Sequence, residues 1–395
     1  MSFHVRRCAI LLIEPREEIE FDLDGLVTGG PGVRTTRKLV ALAPHRDDPV
    51  PIDANEMQAL AAIPSGEWTP YRDAAERHGS AAVARLVAEG LVVTDDPAHA
   101  AQRARDEKLR ARHWHSVAAT LHYLGRWADV DAERNVELAG LRRQSDLAAK
   151  FGPPPPAVPA LVPGRARTAL ERGAVHGVDA LLRRRATCRN FASEATLPRG
   201  ALASILETAH AAHAVYPVGP GQEVLKKNTP SGGGLHPFEA YVVLQNVEGF
   251  ASGLYRYDPV AHALDTVDLA VDPDALRERA ALMVAGQPYF ANAHVQVALV
   301  ARFERCFWKY RYHSKAYRVL ALEAGHISQT VYLRATELGL GAFVTAAINE
   351  IEIERAFGLD ALDESPIAVC GFGVRAATRE RVEFDPNREV WPDWS

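Results

Sequence analysis

The chain has 395 residues, of which 47% are hydrophobic and 24% charged, and a formal net charge of -5. A chain this long and apolar can build two or three folded domains, and its charge balance offers nucleic acid no general attraction, leaving room only for a local basic pocket. The first residues hold too short an apolar run for a signal peptide, and no later stretch reaches the roughly 20 apolar residues a bilayer needs. The expected compartment is therefore the cytoplasm, with neither a membrane nor nucleic acid as partner.

In chain order, short strands are predicted at residues 9–13, 19–23 and 37–42, separated by Glu, Gly and Pro turns. Asp53 and Glu56 form a capping box for a helix over 57–62, and helices are expected over 69–76 and 81–89 before a strand at 90–93. Strands followed by three small helices suit a winged-helix-like unit. Peptide recognition, DNA binding and plain scaffolding all use such units, and this one lacks the basic helix that groove binding needs. Residues 98–150 should form a helical arm, and the prolines from Gly152 to Gly164 an extended spacer. This gives three regions: 1–97 winged-helix-like and peptide-recognising, 98–164 arm and linker, 165–395 the main domain.

The next stretch is Arg183 to Arg189, Arg-Arg-Arg-Ala-Thr-Cys-Arg. Arg185, Thr187 and Arg189 alternate, so an extended backbone lets all three converge on one phosphate. An amphipathic helix opens at Leu197-Pro198, with Leu202, Ile205, Leu206 and Ala209 on one side. Then comes Thr229-Pro-Ser-Gly-Gly-Gly-Leu-His-Pro237, where three glycines let backbone amides approach a ligand. It does not end in Gly-Lys-Ser/Thr, which excludes a P-loop nucleotide triphosphatase. A buried strand is predicted over 238–245, a hairpin over 253–267 and another strand over 295–300. A cationic and aromatic cluster follows at 305–313. A helix over 317–338 carries the stripe Leu320, Ala324, Ile327, Val331, Ala335 and Leu338, ends at Gly339, and precedes a last strand at 367–372. The cysteines Cys8, Cys188, Cys306 and Cys370 have no metal-ligand spacing, so no metal site is expected. Cys188 reads as a packing residue before it reads as a reactive thiol.

Taken together, Arg185-Ala-Thr-Cys-Arg-Asn-Phe191, Pro230 to Pro237, Gly253-Leu-Tyr-Arg-Tyr257, Trp308-Lys-Tyr310 and Tyr317 to Gln329 resemble the nitroreductase superfamily. Within it they are most similar to the SagB-type FMN-dependent dehydrogenases that mature ribosomally made peptides. The resemblance implies an α+β flavin fold, a central mostly antiparallel sheet flanked by helices in an intertwined homodimer, and FMN as cofactor. It implies that Arg185, Thr187 and Arg189 bind the phosphate end, with Thr where Ser is usual, and that Pro230, Ser231 and Gly232 reach the flavin from the partner subunit. Ala346 and Ala347 stand where the family places glycines against the flavin edge. Arg379, or else Arg375 or Arg381, could add a phosphate contact. Lys309 and Tyr310 match a catalytic pair, a base and a residue that orients substrate or relays the proton, and the surrounding aromatic and cationic residues are expected to hold the lysine in a partly dry pocket. The implied substrate is a precursor peptide whose thiazoline or oxazoline, made by a cyclodehydratase, is oxidised to the azole. A Cα–Cβ desaturase, a non-catalytic flavin-fold scaffold and a generic NAD(P)H nitro or quinone reductase are the alternatives.

Overall fold

The computed structural model describes residues 3–158, 164, 166–270 and 272–393. Packing divides the chain into a first unit of Met1–Arg126, Arg302–Leu320 and Leu359–Ser365, and a second of Trp127–Ala301, Ala321–Gly358 and Pro366–Ser395. The described residues of the spacer at 152–164 form no helix, and its part at 159–163, with residue 165, lies outside the described residues.

In the first unit, β1 (His4–Arg7) pairs antiparallel with β5 (Thr69–Pro70) on one side and β6 (Val92–Thr94) on the other. A long hairpin joins β2 (Leu12–Phe21) to β3 (Val33–Leu42), and β4 (Val50–Ile52) completes that second sheet. The strands expected at 9–13 and 19–23 form one strand, β2, and the strand expected at 37–42 starts at Val33, because cross-strand charge pairs carry the pairing beyond the last buried residue. Three helices, Ala54–Ala62, Tyr71–His78 and Ser80–Ala88, follow as expected. The capping box is formed in full, with Glu56 N–H donating to Asp53 and Asp53 N–H donating to Glu56. Val5, Leu60, Leu86 and Leu91 form a core that no solvent reaches. The later segments join this unit through an aromatic cluster in which Phe303 and Phe307 each lie 4.6 Å, centroid to centroid, from Trp114.

The second unit is built on a six-stranded sheet. Its strands are β9 (Phe238–Leu244), β10 (Gly253–Asp258), β11 (Ala263–Leu269), β12 (Val295–Arg302), β13 (Gly341–Thr345) and β14 (Glu364–Gly373), in the order β11-β10-β9-β12-β14-β13. The pairings β9–β10, β9–β12, β10–β11 and β13–β14 are antiparallel. The central strands β9 and β12 are buried along almost their whole length, which is why both read as near-continuous apolar runs. Helix Arg199–His210 buries Leu202, Ile205, Leu206 and Ala209. The long helix Ala316–Glu337 buries Leu320, Ala324, Ile327, Val331 and Ala335, whereas Leu338 beyond its end is 40% exposed. Gly339 then turns the chain with φ 72°, a conformation that costs glycine little.

One hairpin, β7 (Ala212–Gly219) with β8 (Gln222–Lys227), is not expected from the sequence. Pro217 and the Gly219-Pro-Gly221 turn interrupt the alternation that marks a strand.

Candidate functional site

The arginine stretch leaves helix Gly177–Arg184 extended, and its side chains divide between two faces. Ala186, Cys188 and Asn190 are buried, while Arg185, Thr187 and Arg189 on the other face are partly exposed. The backbone is fixed by a parallel bridge of Thr187 to Ala342 and by Cys188 N–H donating to Ala342 O at 2.8 Å. This close approach explains Gly341, since a Cβ there would stand 2.4 Å from the Cys188 sulfur. Burial pushes the Cys188 thiol up to about 12, so it serves as packing and not as a nucleophile.

Tyr332 of the long helix collects the outward face. Its hydroxyl shares a 2.9 Å hydrogen bond with Thr187 Oγ1 and accepts from Val344 N–H at 3.2 Å. The Arg185 guanidinium lies 5.1 Å from the centre of the same ring. Among the described residues, Arg185 meets no carboxylate. Arg189 lies 5.8 Å from the Tyr289 ring and donates to Val382 O. Arg189, Tyr289, Thr378, Glu380 and Arg381 help line a cleft of about 200 Å³, below the roughly 300–1,000 Å³ of most cofactor pockets, and Arg185 and Thr187 are not part of its lining.

A carboxylate that the sequence reading does not single out locks this arrangement. Glu383 is fully buried and accepts from Arg189 N–H at 2.6 Å, Asn190 N–H at 3.0 Å, Asn190 Nδ2 at 2.8 Å and Trp391 Nε1 at 2.7 Å. It also pairs with Arg375. Burial alone pushes its carboxyl up, but Arg375 and the hydrogen bonds from Trp391, Arg189 and Asn190 outweigh it and hold the pKa below the usual range. Asn190 Oδ1 accepts from Glu380 N–H at 2.9 Å and Arg381 N–H at 2.7 Å, so the tail is clamped to the arginine stretch. Of the three candidate tail arginines, Arg375 is committed to Glu383 and Arg381 to Glu133, at 3.2 Å. Arg379, partly exposed, meets no carboxylate among the described residues.

The glycine loop forms a short turn at Gly232–Gly234, where Gly233 and Gly234 have φ of 67° and 69°. Pro230 is exposed, and Ser231 and Gly232 are half-buried. Ser231 Oγ donates to Glu323 on the long helix at 2.6 Å and accepts from His236 N–H at 2.8 Å. Pro230 O lies 3.1 Å from His326 Nδ1. Tyr332 and Glu323 stand about 13 Å apart along that helix, so one rigid element braces both the arginine stretch and the loop. After β13, Ala346 is exposed and Ala347 half-buried. Ala347 N–H donates to Thr345 Oγ1 at 3.2 Å and its carbonyl accepts from Gln287 at 3.1 Å, which fixes this backbone from behind.

Lys309 and Tyr310 belong to the first unit, following the short helix Phe303–Phe307. The lysine side chain is exposed, not held in the dry aromatic pocket that the sequence suggests, and its Nζ lies 5.7 Å from the Tyr310 ring centre. Phe303 and Phe307 turn inward to the core, leaving Trp308 56% exposed beside Lys309. His313 accepts from Lys315 N–H at 3.1 Å, a local turn bond.

The donors present fit a flavin phosphate. Arg185 meets no carboxylate among the described residues, and the Thr187 hydroxyl shares its face. No group of three or more His, Cys, Asp or Glu among the described residues could hold a metal ion, and none of the helices described is long and apolar enough to cross a membrane.

Residues 182–374 match the family described as Nitroreductase family. Over 175 residues the chain is 31% identical to MJ1384 of Methanocaldococcus jannaschii, a protein named as a nitroreductase, covering 44% of this chain and 80% of that one. The chain belongs to the nitroreductase family. It is also 34% identical over 151 residues to the trifolitoxin-processing protein TfxB of Rhizobium leguminosarum bv. trifolii, covering 37% of this chain and 39% of TfxB. With the microcin B17-processing protein McbC of Escherichia coli it shares 28% identity over 155 residues, 38% of this chain and 54% of McbC. The chain thus spans less than two thirds of either processing protein. Membership of the nitroreductase family carries the α+β fold and the oxidoreductase class with it.

Proposed function

We propose that this nitroreductase-family protein is an FMN-dependent dehydrogenase that oxidises an azoline of a ribosomally made precursor peptide to the azole. The observation that carries the reading is that Arg185, Thr187 and Arg189 share the outward, partly exposed face of one extended segment, with Glu383 fixing the backbone at Arg189. The likeness to two proteins named for processing trifolitoxin and microcin B17 supports a peptide as substrate.

Arg185 and Arg189 would hold the phosphate, with Arg379 as a third cation, and Thr187 would donate a hydrogen bond with its hydroxyl turned from Tyr332. Pro230, Ser231 and Gly232 would contact the flavin of a partner subunit in a homodimer, and the backbone at Ala346 and Ala347 would face its edge. Bound FMN would supply a two-electron acceptor for the hydride leaving the azoline ring. Lys309 and Tyr310, which the resemblance matches to a catalytic pair, would serve as the base and as the residue that orients the substrate or relays the proton. Residues 1–97 hold the precursor peptide, and a cyclodehydratase in the same cytoplasm supplies the azoline.

The test is to load the purified protein with FMN and incubate it with an azoline-bearing peptide. A flavin absorption band and a loss of two hydrogens that requires prior cyclodehydration support the proposal. A protein that takes up no FMN overturns it, and oxidation of the uncyclised peptide would assign Cα–Cβ desaturation instead.

A further inference from the structure

Between helix Arg199–His210 and the hairpin β10–β11 lies a cavity of about 370 Å³, within the roughly 300–1,000 Å³ of small-molecule sites. None of its lining residues belongs to the segments proposed to meet the flavin or the peptide. Its walls are mostly apolar, supplied by Leu202 and Leu206 of the helix with Phe250 and Leu264 opposite. Such walls take the apolar body of a ligand out of water but do not orient it, which is the work of the few polar groups set among them.

The first of these is Arg199, an exposed residue of the lining whose guanidinium lies over the Phe250 ring, 5.3 Å from its centre. Among the described residues its side chain makes no ion pair. A guanidinium resting on an aromatic face keeps its hydrogen-bonding edge for another partner. The second is a pair across the hairpin turn, in which the Tyr257 hydroxyl and His262 Nδ1 share a 2.6 Å hydrogen bond. Tyr257 is 2% exposed, and burial pushes its hydroxyl pKa up, so it keeps its proton and donates it. The neutral imidazole then carries its own hydrogen on Nε2 and is a donor in turn.

The turn that places His262 is strained. His262 holds φ 51°, a left-handed conformation that a non-glycine residue adopts at a cost, and Asp258 fixes the preceding residues by accepting Val260 N–H at 2.8 Å and Ala261 N–H at 2.9 Å. Glu248 accepts the Arg199 N–H at 3.2 Å, but neither it nor Glu207 nor Asp258 lines the cavity. The lining therefore offers a ligand a cation and a hydrogen-bond donor on an apolar ground, with no carboxylate among them.

We propose that this cavity binds a small monocarboxylic acid with an apolar body, its carboxylate held by Arg199 and His262 and its body enclosed by Leu202, Leu206, Phe250 and Leu264. Nothing in this depends on whether a flavin is bound.

The experiment measures binding of phenylacetate and hexanoate to the full chain by ligand-observed NMR, with phenylacetamide as the uncharged counterpart. At least one acid should bind with a dissociation constant of about 1 mM or tighter, and the amide at least about tenfold more weakly than phenylacetate. Tighter binding of phenylacetate would assign an aromatic body and tighter binding of hexanoate an aliphatic one, either result supporting the site. Arg199→Gln, on an exposed side chain, should weaken the acid about 10- to 100-fold with the melting temperature unchanged. Ala203→Phe, which fills the cavity from the helix side, should abolish binding. No binding of either acid at about 10 mM, equal binding of acid and amide, or wild-type affinity in Arg199→Gln would each overturn the proposal. So would a folded Ala203→Phe variant that still binds the acid. If Ala203→Phe does not fold, Arg199→Gln and the amide decide the matter.

Discussion

On the hairpin β2–β3, Glu17, Glu18 and Glu20 meet Arg37, Lys38 and Arg34 across the strands in water, whereas in the arginine stretch Arg185 and Arg189 lean on aromatic rings and a buried carboxylate fixes the backbone at Arg189. Both segments are dense in charge. In the hairpin each charge has an exposed partner of opposite sign, and solvent screens the pair, so the ladder chiefly keeps a long two-stranded ribbon in register. In the arginine stretch Arg185 meets no carboxylate among the described residues, while Glu383 is fully enclosed and paired with Arg375. A run of charge becomes a candidate site where burial makes its geometry costly to change, and the count of charges matters less.

The sharpest way to test the contrast between the units is Lys309→Met, which removes the proposed base from the first unit and leaves the proposed phosphate site in the second. Peptide oxidation should fall about 10²- to 10⁴-fold, the usual weight of a general base, while the flavin absorption spectrum and FMN affinity stay unchanged. Equal losses of FMN affinity would mean that Lys309 serves binding instead.

Next in size is Glu383→Ala. It strands Arg375 in a largely enclosed place and frees the backbone of Arg189 and Asn190, and should cost about 3 kcal/mol of stability by denaturant unfolding. The pH dependence follows from the depressed carboxyl. The stabilisation is complete above the unfolded carboxylate pKa of about 4.3 and is lost as pH falls through the lower folded value. Glu383→Gln should therefore flatten the acid limb of a stability-against-pH curve. An unchanged acid limb would refute the lock.

Arg185→Gln should weaken FMN by about 10- to 100-fold, the worth of one charge-assisted hydrogen bond, with little change in melting temperature because no carboxylate is stranded. Fluorescence titration measures the first and calorimetry the second. The smallest effect belongs to the hairpin. Arg37→Ala, on a side chain 85% exposed, should change unfolding free energy by less than about 0.5 kcal/mol, and a larger loss would remove the contrast between the two charged segments.

Much of this was legible in one dimension. The alternation of Arg185, Thr187 and Arg189 foretold two faces, the capping box at Asp53 and Glu56 foretold a helix start, and Gly339 foretold a helix end. These are local signals, carried by side-chain period and backbone preference within a few residues. The hairpin β7–β8 was illegible because Pro217 and the turn glycine break its period. The dry setting expected for Lys309 did not appear because Phe303 and Phe307, not the lysine, turn to the core.

The sequence by itself determined which groups could bind an anion and the order in which they come. Only the tertiary structure decided which charges are enclosed: Glu383 closes over Arg189 from almost two hundred residues away, and Glu323 takes the Ser231 hydroxyl from ninety-two away. The physical reason is that desolvation depends on what covers a group. That cover comes from chain too remote for any local period to reveal.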